Sequence, residues 1–288
     1  MVPFAGFAPY FVPYLFVVLW ATGFIGAKYG LPHAEPLTFL LIRYLVVIGL
    51  MTAIALASRA PWPKGARQWF HIGVSGLLIH AVYLGGVFTA ISMGLPAGIT
   101  SLVVGIQPLL TAVGAGWLLG ETVKARQWLG LVLGFGGVML VVSSKLGLGF
   151  GLNALAPALV ALAGITLGAI YQKRFCPRFD WRTGAVAQFA PSALATWAVA
   201  AMTESFRVDW TPDFLFALGW LVLVLSIGAI SLLNWLIRHG TAVNIASVFY
   251  LVPPCTALIA WGLFGEMLSG IALAGMGLAV WGVYLARQ

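Results

Sequence analysis

Charged side chains are scarce in this chain. Asp, Glu, Lys and Arg make up 8% of its 288 residues, whereas hydrophobic residues make up 61%. A soluble globular chain carries roughly a quarter charged residues, so this chain has too few of them to cover a water-facing surface. The shortage predicts an integral membrane protein, with the lipid bilayer as its surroundings, and excludes a large soluble domain.

Cysteine is nearly absent as well. The two cysteines are Cys176, in a predicted loop, and Cys255, in a predicted helix, so we expect no structural disulfide. The sequence contains no His, Cys, Asp or Glu spacing typical of a metal site. We therefore expect neither a bound metal nor a cofactor.

Long apolar runs dominate what remains. A helix needs about 20 apolar residues to cross the hydrocarbon core of a bilayer, and backbone groups in lipid must pair within the helix. Ten such runs occur, at 10–28, 38–57, 70–91, 97–119, 127–144, 155–173, 183–202, 214–236, 243–264 and 268–286. The sequence predicts ten transmembrane helices joined by short loops.

The basic residues are distributed unevenly between the two sides of these ten helices. If the N-terminus is cytoplasmic, eleven Lys and Arg residues fall on the cytoplasmic side and three (Lys28, Lys145 and Arg207) on the other, with Arg43 inside a helix. Because cytoplasmic loops are enriched in Lys and Arg, both termini are predicted to be cytoplasmic. The net charge of +8 therefore reflects topology, and no nucleic-acid partner is expected.

The two halves of the chain are related by a shift of 145 residues. Positions 97–140 then show 14 identities in 44, among them Pro108 with Pro253 and Gly120-Glu121 with Gly265-Glu266. Each half, 1–145 and 146–288, holds five helices. Since five is odd, the halves insert with opposite orientations, and inverted repeats of this kind support alternating access around a site near the membrane midplane.

A set of short motifs carries a resemblance to a known family. They are Trp20, Lys28, Pro36-x-x-Phe39-x-x-x-Arg43, Pro108 with Gly120-Glu121, and Pro253 with Gly265-Glu266. The chain is similar in these motifs to the drug/metabolite transporter (DMT) superfamily, and within it to EamA-type members that include bacterial amino-acid exporters. The resemblance implies the DMT fold, a transport function and the inner membrane of a bacterium. It also implies that helices 1, 3, 4, 6, 8 and 9 line the pathway.

Acidic residues are missing from the middle of every predicted span. The seven acids lie in loops or at helix ends: Glu35, Glu121, Asp180, Glu204, Asp209, Asp213 and Glu266. Carriers that exchange a cation for a proton usually need a buried carboxylate, so that mechanism is disfavoured. A phosphorylated cargo would need basic groups in the cavity, and we expect Arg43 to be a snorkelling or structural residue near the outer interface.

Uncharged polar and aromatic side chains are the remaining candidates for substrate contact. His80 and Tyr83 lie three residues apart, on one face of the third helix, and His80 could either contact the substrate or bond a neighbouring helix. The full set of candidates for cavity lining is Trp20, His80, Tyr83, Gln107, Tyr171, Asn234, Trp235 and Tyr250. Each polar member has the alternative role of linking helices.

Two pairs of repeated residues have structural interpretations. Pro108 and Pro253 fall near the middle of their helices, where proline removes a backbone hydrogen bond and frees a carbonyl group. The freed carbonyls could bind an ammonium group or act as a hinge, and the alternative is a kink that serves packing. Glu121 and Glu266 are interpreted as helix-end anchors to nearby backbone or basic groups.

Together these features predict a carrier that exports aromatic and other neutral amino acids by alternating access. The alternative is an efflux carrier for another small neutral metabolite or drug. A membrane enzyme is disfavoured, because no nucleophile and base or carboxylate pair occurs in a catalytic spacing. A monomer is consistent with the sequence.

Overall fold

A computed structural model describes residues 8–95, 97–143, 152–176, 178–264 and 268–287. These residues form ten helical segments: α1 (Ala8–Gly30), α2 (Pro36–Ala57), α3 (Gly65–Ser92), α4 (97–119), α5 (Ala125–Ser143), α6 (Leu155–Phe175), α7 (Trp181–Thr203), α8 (Pro212–His239), α9 (242–264) and α10 (Gly270–Ala286). Each overlaps one of the ten predicted spans, with ends that differ by no more than five residues. The predicted helix order is confirmed.

Six of the segments, α2, α3, α6, α7, α8 and α9, are long and apolar enough to cross a membrane by length and composition. Shorter apolar stretches lie within α1, α5 and α10. Within the described ranges, extended structure is limited to one isolated antiparallel bridge between Ala34 and Val208. It joins the α1–α2 loop to the α7–α8 loop.

Helix pairing follows the repeat. The contacts of α5 with α10 and of α2 with α7 are both extensive, and each pair joins a helix of the first half to its equivalent in the second. Exchange of the halves also relates the α3–α6 contact to the α1–α8 contact, and the α3–α7 contact to the α2–α8 contact. The two outer pairs, α2–α7 and α5–α10, therefore flank a central group formed by α1, α3, α4, α6, α8 and α9.

Glycine makes the α5–α10 pair possible. A Cβ atom on Gly275 would lie 2.7 Å from the carbonyl oxygen of Gly137 and 2.8 Å from Leu140 Cβ. Gly130 and Gly282 approach each other's helix as closely. Small residues allow helix backbones to approach closely in lipid, where helix association depends on packing.

Helix geometry is interrupted at equivalent places in the two halves. Leu77–Leu84 in α3 and Leu221–Ala229 in α8 are π-helical, and the 145-residue shift superposes them almost completely. In α4 the chain turns at 105–106 before Pro108, while in α9 the segment Phe249–Leu251 is 3₁₀-helical before Pro253. Because π-helical turns occur frequently at functional sites, the interruptions direct attention to the centre of the bundle.

The basic end of the bundle is the end at which α2, α4, α6, α8 and α10 finish. There Asp180 accepts a hydrogen bond from the backbone N–H of Arg182 at 2.9 Å and caps α7. Its repeat equivalent, Glu35, begins α2 at the opposite end and accepts hydrogen bonds from the backbone N–H groups of Ser205 and Arg207. The second half thus keeps an acidic residue at the start of this helix although it departs from the Pro-x-x-Phe-x-x-x-Arg motif, but only Asp180 caps its own helix.

Candidate functional site

The first central cavity lies between α1, α2, α3 and α8, and so between the two halves. Its volume of about 40 Å³ has room for a few water molecules in this conformation. The residues that line it are Trp20, Gly23, Ala27, Arg43, Tyr83, Leu84, Val87, Phe88, Leu221, Leu225 and Ile230. All but Arg43 are apolar or aromatic. A solute of amino-acid size requires the halves to separate further around this point.

A second cavity of about 20 Å³ lies toward the basic end, between α4, α6, α8 and α9. Gln107, Thr111 and Lys173 are its polar lining residues, and Phe249 lies on its wall. The amide nitrogen of Gln107 donates to Thr111 Oγ1 at 3.0 Å, whereas its amide oxygen has no hydrogen-bond partner in the described part of the chain.

Aromatic rings separate the two cavities. The Trp20 and Phe249 rings meet edge to face with centroids 5.5 Å apart, and Phe16 contacts both of them. On the other side of Trp20, Tyr83 is nearly parallel to it, with a centroid distance of 6.2 Å. Of the predicted residues, Trp20, Tyr83 and Gln107 therefore line a central cavity.

Arg43 is the cavity residue that sequence reasoning misplaced. Of the two roles expected for it, that of a snorkelling residue at the outer interface is wrong, because its side chain is 3% exposed and lies inside the bundle, between α2 and α8. A structural role agrees with its hydrogen bond to Ser226 of α8. Among the Lys, Arg, Asp and Glu residues whose side-chain burial the structure describes, it is the one that is buried. The available signal was its position two turns inside an otherwise apolar helix, since ionisable residues within spans generally mark functional sites.

The hydrogen bond of Arg43 fixes one edge of its guanidinium group. Nε donates to Ser226 Oγ at 2.8 Å, in the π-helical part of α8. The terminal nitrogens donate to no group in the described ranges, and no carboxylate there lies within ion-pair distance. The free edge of the guanidinium is thus the polar feature of the first cavity.

His80 lies on a different face of α3 from the cavity. Its ring is fully buried and stacks on Phe189 of α7 at a centroid distance of 4.0 Å. Tyr44 of α2 donates a hydrogen bond to the His80 carbonyl oxygen at 2.8 Å. Neither ring nitrogen has a hydrogen-bond partner within the described residues. The structure places His80 between α3 and the outer helices, and outside both cavity linings.

Asn234 belongs to an interhelical network rather than to either central cavity. Gln172 donates to Asn234 Oδ1 at 2.7 Å and accepts from Gln188 at 3.0 Å, and Gln188 also donates to Ser75 at 3.1 Å. The chain of bonds links α3, α6, α7 and α8. Asn234 also borders a lateral cleft of about 460 Å³ between α1 and α8.

The other predicted aromatic residues lie away from the two central cavities. Tyr171 forms a 2.7 Å hydrogen bond with His71 Nδ1, and Trp235 stacks on His239 at 4.3 Å beside the lateral cleft. Tyr250 is fully buried and packs toward α5, where a Cβ atom on Gly134 would clash with its ring.

Glu121 lies at the basic end. It accepts a hydrogen bond from the Ala242 N–H at 2.9 Å and forms a 3.3 Å ion pair with Lys173. Glu266 lies outside the described residues. Pro108 and Pro253 are buried and immediately follow the helix interruptions. Among the residues that the structure covers, no group of three or more His, Cys, Asp or Glu residues is arranged to hold a metal ion.

Comparison with known proteins gives a consistent result. The EamA-like transporter family matches residues 9–143 and again 153–288. An uncharacterized transporter of Bacillus subtilis, YvbV, is 28% identical over 94% of this chain and 88% of its own length. A probable amino-acid metabolite efflux pump of Salmonella typhimurium is 27% identical over 96% of this chain and 93% of its own.

Two further proteins extend these matches. The uncharacterized inner membrane transporter YedA of Escherichia coli is 27% identical over 93% of this chain and 87% of its own length. A solved crystal structure superposes with a TM-score of 0.76 at 20% identity, and the match covers 96% of this chain and 94% of that one. At this identity the superposition supports the fold alone.

Proposed function

The chain belongs to the EamA-like transporter family, whose members are transporters and not enzymes, and we propose that it exports aromatic and other neutral amino acids. Export proceeds by alternating access between two inverted five-helix halves, 1–145 and 146–288. The central cavities between these halves open in turn to the two sides of the membrane.

The first central cavity is the observation that carries this proposal. It is lined by aliphatic and aromatic side chains and by one charged residue, Arg43. Such a lining suits a solute with an apolar body and one strongly polar end. Trp20 and Tyr83 contact the body, and Gln107 in the second cavity offers an amide oxygen without a partner among the described residues.

The name of one relative supports an amino-acid cargo but does not indicate a preference for aromatic amino acids. The Salmonella relative is called a probable amino-acid metabolite efflux pump, and the match extends over nearly the full length of both chains. The preference for aromatic and large apolar side chains rests on Trp20, Tyr83 and Phe88 around the first cavity.

We place the protein in the bacterial inner membrane with both termini in the cytoplasm. Eleven Lys and Arg residues lie at the basic end, among them Arg59, Lys124 and Arg178. Because positively charged loops remain cytoplasmic, the basic end faces the cytoplasm. Labelling single cysteines introduced at Arg59 and Arg207 with a membrane-impermeant reagent tests this orientation, since the proposal requires labelling of intact cells at position 207 alone.

Transport by purified protein in liposomes tests the cargo. Counterflow of labelled phenylalanine, methionine and leucine is compared with that of empty vesicles, and with that of a panel of uncharged drugs in competition. Saturable amino-acid counterflow is the expected result. Counterflow of drugs without amino-acid flux would instead assign the protein to the efflux of other neutral solutes.

A further inference from the structure

We propose that the Arg43 guanidinium group is a carboxylate-binding site, and that the cargo is an apolar or aromatic solute with a carboxylate group. This inference rests on the proposed transport function of the same cavity and names the chemical group that the cavity recognises. It makes the carboxylate, rather than the amino group, the recognised end of an amino acid.

The first reason is electrostatic. Arg43 is 3% exposed, and no acidic side chain in the described ranges forms an ion pair with it. The described acids lie at the helix ends or in loops. Removing a guanidinium from water costs several kcal/mol unless a counter-charge compensates for it. An anionic ligand supplies the counter-charge that the fold leaves out.

The second reason is geometric. A guanidinium has five N–H donors in a rigid planar arrangement. Ser226 accepts from Nε at 2.8 Å and holds the plane in place, so the two terminal nitrogens present their N–H groups side by side. Two parallel N–H donors match the two oxygens of a carboxylate. The cavity therefore favours an end-on, two-bond contact with the carboxylate.

The third reason comes from the repeat. Gln188 occupies in α7 the position that Arg43 occupies in α2, and it too links its outer helix to neighbouring helices, through Ser75 and Gln172. A neutral amide is therefore sufficient for the structural role at this position. The positive charge of Arg43 has no equivalent in the second half, where the residue does not line a described cavity. Its charge requires a different explanation, which an anionic ligand provides.

The surrounding side chains define the rest of the cargo. Trp20, Tyr83 and Phe88 border the cavity beside Arg43, and their rings suit an aromatic or aliphatic body. No described acidic group lies in the lining to pair with an ammonium group. A carboxylic acid that lacks the amino group should therefore bind as well as the amino acid.

Three probes with the same phenyl body separate these contributions. Phenylalanine has both charged groups, 3-phenylpropionate lacks the ammonium group, and 2-phenylethylamine lacks the carboxylate. Equilibrium binding of each labelled probe is measured on the full-length protein in detergent. The two carboxylates should bind about tenfold or more tightly than the amine, because charge-assisted paired hydrogen bonds are strong.

The matched variant is Arg43→Gln, which introduces the residue that the second half already uses at this position. It should abolish the difference between the three probes, while Arg43→Lys, which keeps the charge but loses the paired donors, should retain part of it. Elution as a single peak in size-exclusion chromatography and a retained thermal transition show that a variant is folded. The comparison of probes on the unmodified protein needs no variant at all.

The outcomes separate this inference from the proposed function. Equal binding of all three probes to the unmodified protein, or unchanged discrimination in folded Arg43→Gln, would overturn the carboxylate site even if phenylalanine is transported. Binding of 3-phenylpropionate that depends on Arg43 would support the site even if no amino acid crosses the liposome membrane. In that second case the proposal of amino-acid transport would be refuted, whereas the carboxylate site would stand.

Discussion

Glu121 accepts a hydrogen bond from the backbone N–H of Ala242 at 2.9 Å, and so joins the end of α4 in the first half to the start of α9 in the second. Lys173, at the end of α6, forms an ion pair with Glu121 and also donates to the Gly240 carbonyl oxygen. These contacts hold the two halves together at the basic end, beside the second cavity.

Replacing Glu121 by alanine should open this end. The change removes an acceptor for the first N–H of a helix and one partner of an ion pair. We therefore expect the closed conformation to become about 1–2 kcal/mol less stable relative to the open one. Reaction of a cysteine introduced at Thr111, which lines the second cavity, with a water-soluble maleimide measures the opening. The reaction should be faster in Glu121→Ala.

Lys173→Met is the matched control for this measurement. Its ion pair with Glu121 is partly exposed, with side-chain exposures of 22% and 19%, and such pairs contribute about 0–1 kcal/mol. The variant keeps the Glu121–Ala242 hydrogen bond, so its effect on the Thr111→Cys reaction should be smaller. A larger effect than that of Glu121→Ala would show that the ion pair, not the helix cap, closes this end.

Gly275 of α10 should not tolerate alanine. A Cβ atom there would lie 2.8 Å from the Val141 backbone nitrogen of α5, and overpacking of this kind costs about 1–3 kcal/mol. Gly277→Ala is the control in the same helix, because a Cβ atom there meets nothing within 4 Å. Thermal unfolding in detergent should show a lower midpoint for Gly275→Ala alone. Equal midpoints would contradict the close approach of α5 and α10.

The fold was predictable because membrane insertion depends on simple sequence properties. Apolar run length predicted ten helices, and the 145-residue shift predicted two related halves, each of which matches the EamA-like transporter family. The π-helical segments at Leu77–Leu84 and Leu221–Ala229 were not predicted. Their sequences are uniformly apolar, so they carry no local signal that distinguishes π from α geometry.

The site was harder to predict, because the position of a residue along a helix does not indicate which neighbouring helix or cavity its side chain faces. Trp20 and Tyr83 were expected near the pathway and line the first cavity. His80 lies one turn from Tyr83 but faces Phe189, since its helix is flanked by the cavity on one side and by an outer helix on the other. Arg43 was misplaced because the resemblance leaves the second helix out of those that line the pathway, whereas Arg43 of α2 lines the first central cavity.

His80 should not control a pH response of transport. Its ring is enclosed by Tyr44 and Phe189 and borders neither central cavity. His80→Phe should therefore keep both the transport rate and its pH profile, because a phenyl ring preserves the stacking. His80→Ala removes a stacking contact of about 1 kcal/mol and should lower the unfolding midpoint. A flattened pH profile in His80→Phe would instead assign a proton-coupling role to this residue.

Asp180 should make stability depend on pH at the acidic end of the range. Two hydrogen bonds from the Arg182 side chain, at 2.9 Å and 2.8 Å, lower its pKa below the usual value. Its contribution is therefore present above the unfolded pKa of about 3.9 and is lost as the pH falls through the lower folded value. Unfolding midpoints between pH 6 and pH 3 should decrease less in Asp180→Asn than in the unmodified protein. Asp213→Asn, at an exposed position in the first turn of α8, should behave like the unmodified protein.

Pro253 should act on the rate of transport more than on binding. It follows the 3₁₀ segment Phe249–Leu251, whose first residue lies on the wall of the second cavity and contacts Trp20. Alanine at this position restores one of the two backbone donors that Pro253 and Pro254 remove, which makes the bend at Phe249 harder to change. Pro253→Ala should bind 3-phenylpropionate as the unmodified protein does but exchange phenylalanine several-fold more slowly. Pro108→Ala tests the equivalent bend in α4. The two halves exchange roles in alternating access, so both variants should slow phenylalanine exchange. Slower exchange in one variant alone would show that the two bends are not used equally.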